Sequence, residues 1–422
     1  MRIALITFEF YPDIGGISRH LTSFCEAIHK TDHTLYVFNR SYEGNNIFNV
    51  LDGKEYSLGR LLFYLIKRKL IYYFILTHWK IFRDKKMQFS HKLKLFIYSL
   101  VKPKLFIRSL INVKILYPFF KKYNFDLIIG GASGSKLLML IFPLSRLFNK
   151  KVISWAHGNE FLVKSKFSLK TYFLKNLDKI ILANHKTKDL IKKIHNINEK
   201  DIALINYGLT LKDYELNITR EQLREELNIS RNCFVILSVG RHVTRKKFDL
   251  VIRALNEIQK KKQDLDIRYY LIGEGPETSN LKRLVKNLGL EKQVFFLGLV
   301  DNYVRNKYYK ISDVFLMPSI EEKESIEGFG LVFLEANYYN VPVIGTPSGG
   351  ITEAIENMKN GMYVNPNDEN DIIDKILFLY ENREKGVEMG LYGHDRVVSQ
   401  YNWEIIINEY TKLFEDLQDR KK

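Results

Sequence analysis

The chain predicts an α/β protein made of two doubly wound domains with parallel sheets, and three features predict it. Short apolar runs alternate with longer helix-like segments along most of the length, the pattern of repeated strand–helix–strand units. Many of these runs end in Gly, Ser, His or Asn, as expected where strands deliver the chain to a ligand crevice at their carboxyl ends. The 422 residues exceed what one core usually organises, and 46% of them are hydrophobic, enough for two cores.

The elements follow in order. RIALITF, HTLYVF, FDLIIGG, KVISWAHG, KIILANH and DIALINYG form the first series of expected strands. The second comprises CFVILSVGR, IRYYLIGEG, VFFLGLV, DVFLMPS and VPVIGTPSGG. Between them, within 207–232, the chain leaves INYG and runs through a polar helix, TREQLREELN. The first domain is therefore expected over 1–206 and the second over 207–401, each of ordinary size. The segment 402–422 reads as a closing amphipathic helix with Ile405, Tyr410 and Leu413 apolar.

Charge is concentrated in one stretch. The formal net charge is +17, and residues 54–122 hold 13 Lys and 4 Arg against Glu55 and Asp84. LLFYLI, LIYYFIL and KLFIYSL lie within the same stretch. Basic residues interleaved with apolar ones suit an anionic membrane surface, where each cation adds about 1 kcal/mol. A nucleic-acid surface and an ordinary solvated helical insert are the alternatives, and a nucleic-acid partner is not expected. The charges of 60–84 do not share one helical face, whereas Lys104, Arg108 and Asn112 fall at i, i+4 and i+8.

No run of 18 apolar residues marks a spanning helix, and the six-residue run Ile3–Phe8 is too short for a signal peptide. Cys25 and Cys233 are far apart and match no metal spacing. Both read as buried small hydrophobes of a reducing compartment, so the expectation is a cytoplasmic protein, peripheral at the inner face of the membrane.

Several loops carry possible chemistry. Gly15 and Gly16 precede a helix and would let a ligand approach backbone N–H groups, although a turn needing positive φ explains them equally. Gly-x-Gly-x-x-Gly is absent, and GGASGSK at 130–136 lacks the spacing of a P-loop. His157 ends an apolar strand, where it either polarises a hydroxyl or is a hydrogen-bonded loop histidine. Arg241 follows a strand, and Lys246 and Lys247 precede a helix; a guanidinium fork with a point charge suits a diphosphate. Gly273 lies in LIGEGPE, another strand–turn–helix junction, and Gly349–Gly350 in a third. In EGFGLVFLEA, Glu327 precedes Gly328 and Gly330, and a helix begins near Leu331 with Leu331, Leu334 and Tyr338 on one face. Its first amides would favour an anion by roughly 0.3–1 kcal/mol, and Glu335 could accept bonds from vicinal hydroxyls.

The sequence resembles the family-4 glycosyltransferases of the GT-B fold, retaining enzymes that use nucleotide sugars. The residues that carry the resemblance are Glu327-x7-Glu335 within EGFGLVFLEA, VPVIGTPSGGITE, GMYVNPND, SVGR with Lys246 five residues on, LIGEGPE, Gly15–Gly16 and His157. The match is specific from about 200 to 367, looser before it, and lacks a family pattern over about 42–120.

The resemblance implies two Rossmann-like domains facing a cleft. It implies that Glu327 contacts the donor sugar, Glu335 the ribose, and Arg241 with Lys246 the diphosphate. His157 would lie beside the transferred sugar. Gly15, Gly16, Gly273 and the amides of Phe329, Gly330 and Leu331 would line the donor. The implied reaction is hexosyl transfer from a UDP- or GDP-sugar to a glycan or lipid-linked acceptor, as in cell-surface glycan synthesis. Same-face attack would give retention without an enzyme nucleophile. Positive side chains, rather than a metal or other cofactor, would stabilise the leaving group; the one Asp-x-Asp, at Asp264–Asp266, does not follow a strand. Lys247 and Asn340 depart from the family, which usually has glycine at the first position and often at the second. A non-catalytic sugar-nucleotide or glycan-binding relative and a sugar-nucleotide epimerase are the alternative readings; intact Glu327, Glu335, Arg241, Lys246 and His157 disfavour the first.

Overall fold

The computed structural model describes residues 1–7, 16–39, 49–50, 103–158, 162, 169–322 and 325–419. Gly15 and most of the basic stretch, 54–102, lie outside the described residues. The chain divides into two compact units, Met1–Ile205 with Ile407–Lys422, and Asn206–Ile406. The sequence placed this division at 206/207 and the return of the chain at 402.

The first unit contains β1 (Arg2–Ile6), β2 (Thr34–Asn39), β3 (Asn49–Val50), β4 (Leu127–Gly130), β5 (Lys151–Trp155), β6 (Lys179–Leu182) and β7 (Ile202–Leu204). They form an open sheet in the order β3-β2-β1-β4-β5-β6-β7, parallel except for the β2–β3 pair. Its helices are α1 (Gly16–Ile28), α2 (Pro103–Tyr123), α3 (Ser135–Phe148), α4 (Leu169–Lys175) and α5 (His185–His195). Helices pack on parallel strands and bury them, so their side chains need not alternate. Ile3, Ala4, Leu5 and Ile6 are accordingly all buried. On α1 the buried Leu21, Phe24 and Ile28 recur at i, i+3 and i+7, one face of a helix.

The second unit contains β8 (Phe234–Val239), β9 (Ile267–Ile272), β10 (Val294–Gly298), β11 (Val314–Met317), β12 (Val343–Gly345) and β13 (Gly361–Tyr363). They form a parallel sheet in the order β10-β9-β8-β11-β12-β13. Its helices are α6 (Arg220–Glu226), α7 (Phe248–Lys261), α8 (Thr278–Leu288), α9 (Asn302–Ile311), α10 (Leu331–Tyr338), α11 (Ile351–Ala354), α12 (Glu369–Glu381) and α13 (Arg383–Gln400). The polar α6 begins with a reciprocal cap, in which Thr219 accepts from Gln222 N–H and the Gln222 side chain accepts from Thr219 N–H. The last helix, α14 (Trp403–Asp419), begins in the second unit and is assigned to the first from Ile407 onward. In each sheet the strand order reverses beside the first strand, between β1 and β4 and between β8 and β11. Ligands of open α/β sheets bind at the carboxyl ends of such strands.

Helix α10 starts at Leu331 as expected, and Phe333, Leu334, Glu335, Ala336 and Asn337 are all buried, because neighbours surround it. Two other expectations are corrected here. On α14 the buried side is Trp403, Ile406, Ile407, Tyr410, Leu413, Phe414 and Leu417, while Ile405 is 41% exposed. Ile405 and Tyr410 are five positions apart, and at 3.6 residues per turn they cannot share a face. On α2 the expected polar stripe ends in a buried residue, Asn112, and Val113, Leu116 and Phe120 pack into the core with Phe125 and Leu140. The carboxyl half of α2 is thus a core helix of the first unit.

Candidate active site

In the first unit the ends of β1, β4 and β5 come together. Gly130 and Gly131 allow this contact. A Cβ on Gly131 would lie 2.5 Å from Thr7 Oγ1, and one on Gly130 would lie 2.7 Å from Ser154 Oγ. Ser133 Oγ donates to Trp155 O at 2.6 Å, tying the loop after β4 to the end of β5. That places His157, only 8% exposed, with Nε2 2.7 Å from Gly131 O. A carbonyl only accepts, so Nε2 carries the proton. The His20 ring from α1 lies 5.9 Å from His157 and 5.4 Å from Trp155. Burial, and then the His157 charge, hold His20 well below the usual histidine range, so it is neutral. Trp155 Nε1 donates to Tyr410 Oη at 2.8 Å, anchoring α14. Gly16 opens α1 with free space where a Cβ would stand.

The second unit builds its loops from backbone laid on backbone. Gly273, at φ +125°, and Gly275 would each drive a Cβ into the loop after β8, 2.1 Å from Gly240 O and 2.3 Å from His242 O. His242 N–H donates to Glu274 O, and Glu277 N–H to His242 O. Across the crevice, Gly349 (φ +53°) and Gly350 stand over the loop after β11, where Cβ atoms would meet Glu327 O at 2.4 Å and Gly328 O at 2.3 Å. Gly350 N–H donates to Glu327 O at 2.8 Å, and Gly349 N–H to Glu321 Oε1 at 2.9 Å.

These loops bring Lys246 and Glu327 together, 81 residues apart in sequence. Lys246 Nζ lies 2.7 Å from Glu327 Oε2 and 3.0 Å from Met317 Sδ. Arg245, a residue the sequence reading passed over, places Nη1 2.7 Å from the same Oε2. All three are largely enclosed, with side-chain exposures of 8%, 14% and 16% for Lys246, Glu327 and Arg245. Burial disfavours the carboxylate, but Lys246 and Arg245 outweigh it and hold Glu327 at about 2. Burial also pulls Lys246 below the ordinary ammonium value, with Glu327 opposing.

Other expected residues fall in different places. Arg241 is exposed and makes no ion pair with the described residues. Lys247 adopts φ +55° as the residue before α7 and lines a groove with Asp249, Arg253 and Glu277, so Lys246 is the lysine at Glu327. The second departure, Asn340, has φ +58°. Both departures thus occupy left-handed positions that favour glycine. Phe329 is buried, and Gly330, at φ +82°, precedes α10 and offers no side-chain cap to the Leu331 turn.

Glu335, expected as an acceptor for vicinal hydroxyls, is fully buried. Tyr309 Oη donates to its Oε2 at 2.9 Å, Tyr214 Oη to its Oε1 at 3.1 Å, and Arg305 Nε lies 3.5 Å away. These partners come from Leu211–Tyr214 and α9, and no sequence spacing signals them. Among the described residues, no group of three or more His, Cys, Asp or Glu is arranged to hold a metal ion. No helix among them is long and apolar enough to cross a membrane.

Two Rossmann-like units, one carrying a Lys–Glu–Arg cluster beside an uncapped helix start, define a GT-B glycosyltransferase fold. Residues 219–396 match the family "Glycosyl transferases group 1". The chain is 30% identical over 278 residues to N-acetyl-alpha-D-glucosaminyl L-malate synthase of Bacillus anthracis, a match covering 64% of this chain and 69% of that one. It is 24% identical to alpha-monoglucosyldiacylglycerol synthase of Acholeplasma laidlawii, over 100% of this chain and 98% of that one. Among solved structures, Anabaena HepE in complex with UDP-glucose superposes with a TM-score of 0.67 at 15% identity, covering 99% of both chains. The chain belongs to the group 1 glycosyl transferases, and it is a glycosyltransferase.

Proposed function

We propose that the protein moves a sugar from a UDP- or GDP-sugar to a lipid-linked or polysaccharide acceptor at the inner membrane face, with retention at the anomeric carbon. The observation that carries the donor reading is the cluster of Lys246, Arg245 and Glu327 beside the start of α10. Two cations on one carboxylate leave a surplus positive charge, where a sugar diphosphate leaves as an anion. Lys246 gives one N–H to a thioether, a weak acceptor that a phosphate oxygen readily displaces. The first amides of α10 and the exposed Arg241 would add donors, so leaving-group stabilisation needs no metal. Glu327 Oε1 takes no hydrogen bond from the described residues and is offered to a sugar hydroxyl. The UDP-glucose complex of the HepE relative supports a nucleotide-sugar donor. The monoglucosyldiacylglycerol product named for the Acholeplasma relative, together with the basic stretch 54–122, supports a lipid acceptor at an anionic surface.

The test is a panel of UDP- and GDP-sugars scored by thermal shift on the full chain, followed by turnover with lipid and glycan acceptors and anomeric analysis of product. Stabilisation by one donor and transfer with retention are expected. Failure of every nucleotide sugar to bind refutes the donor reading. Co-sedimentation with anionic vesicles that survives neutralising the Lys and Arg residues of 54–122 refutes the docking reading.

A further inference from the structure

We propose that Arg245 is a positioning residue that frees Lys246 for the donor diphosphate by holding Glu327 in its place. The inference rests on the nucleotide-sugar reading above. Lys246 and Arg245 share one oxygen, Glu327 Oε2, each at 2.7 Å. A Lys246–Glu327 pair alone would be neutral and closed. Moving its ammonium to a phosphate would strand a carboxylate that is only 14% exposed, a costly state in a poorly solvated site. With Arg245 in place the carboxylate keeps a cation whichever way Lys246 turns.

The geometry suits that division of work. Arg245 is fixed by its backbone, since Ile320 N–H donates to Arg245 O at 2.8 Å, and a guanidinium holds its direction better than an ammonium. Lys246 is the adaptable partner, with its thioether contact to give up. Among the described residues, the cations paired with Glu327 are Lys246 and Arg245, and they lead the charges that act on it. Glu321, on the same loop, is turned to Gly349 N–H.

The consequence is measurable as a proton. Without Arg245, donor binding would draw Lys246 away and Glu327 would take up a proton to stay buried. Affinity would then become pH-dependent. UDP-glucose and GDP-mannose serve as probes because their diphosphates do not titrate near neutrality. Their affinities for the full chain are measured by calorimetry at about pH 5.5, 6.5 and 7.5 for wild type, Arg245→Gln and Arg245→Lys, with thermal midpoints recorded alongside. The wild type is expected to bind one probe with little pH dependence. Arg245→Gln should bind it about tenfold more weakly at the highest pH, with the deficit shrinking on acidification, at most tenfold per pH unit for one linked proton. Arg245→Lys should recover most of the affinity and the flat profile. Unchanged affinity in Arg245→Gln, a pH-independent loss, or a lysine variant no better than glutamine overturns the proposal. A wild type that binds neither probe overturns the donor reading, and the inference with it.

Discussion

Replacing Glu327 with glutamine removes one negative charge and leaves Lys246 and Arg245 facing each other in a largely enclosed site. The fall of the Glu327 carboxyl from its ordinary 4.5 to about 2 corresponds to roughly 3 kcal/mol of native-state stabilisation at neutral pH. Screening reduces this little, because the side chain is only 14% exposed. For a unit of about 200 residues this amounts to a fall in Tm of roughly 6–12 °C. The sign follows from linkage. A depressed carboxyl contributes fully above its unfolded value of 4.5 and loses that contribution as pH falls towards about 2. Thermal unfolding of wild type and Glu327→Gln should therefore differ most at about pH 7 and converge on acidification below about pH 4.5. Equal midpoints at neutrality, or a gap that stays constant down to about pH 3, would refute the reasoning that Glu327 is held ionised by its two cations.

Two further outcomes concern stability. Lys247→Gly should raise stability by up to about 1 kcal/mol, read as a higher Tm, because Lys247 holds φ +55° where a Cβ is strained. Asn340→Gly at φ +58° should change Tm less, since asparagine tolerates that region; the reverse order would dismiss the backbone explanation. His20, kept neutral by burial, should make the protein less stable as pH falls below about 6.5, because the unfolded chain then binds a proton that the folded one refuses. His20→Phe should flatten that part of the profile, which urea titrations at several pH values will read.

Much of the fold was legible because parallel strands covered on both faces must be apolar throughout. FVILSV in β8 is buried at all six positions, and its short length and the glycine that follows favour a strand over a helix. Lys246 and Glu327 were legible as a motif, through their places after strands and before helices. What the sequence did not carry was pairing across distance. Arg245 was hidden in the run RKK, where only the turn Thr244–Lys246 decides which side chain points at Glu327. The partners of Glu335 lie 26 and 121 residues away, so its burial could not be read from its helix.

The glycines around the second unit's crevice have a consequence beyond this chain. At Gly273, Gly275, Gly349 and Gly350 the walls are peptide groups pressed against peptide groups, with no side chain between them. The frame of the crevice is therefore independent of the side chains that project from it. Residues such as Glu327 or Arg245 can change without moving the frame, whereas any of the four glycines cannot. A fold built in this way can exchange the side chains that project from it while its backbone frame is inherited intact.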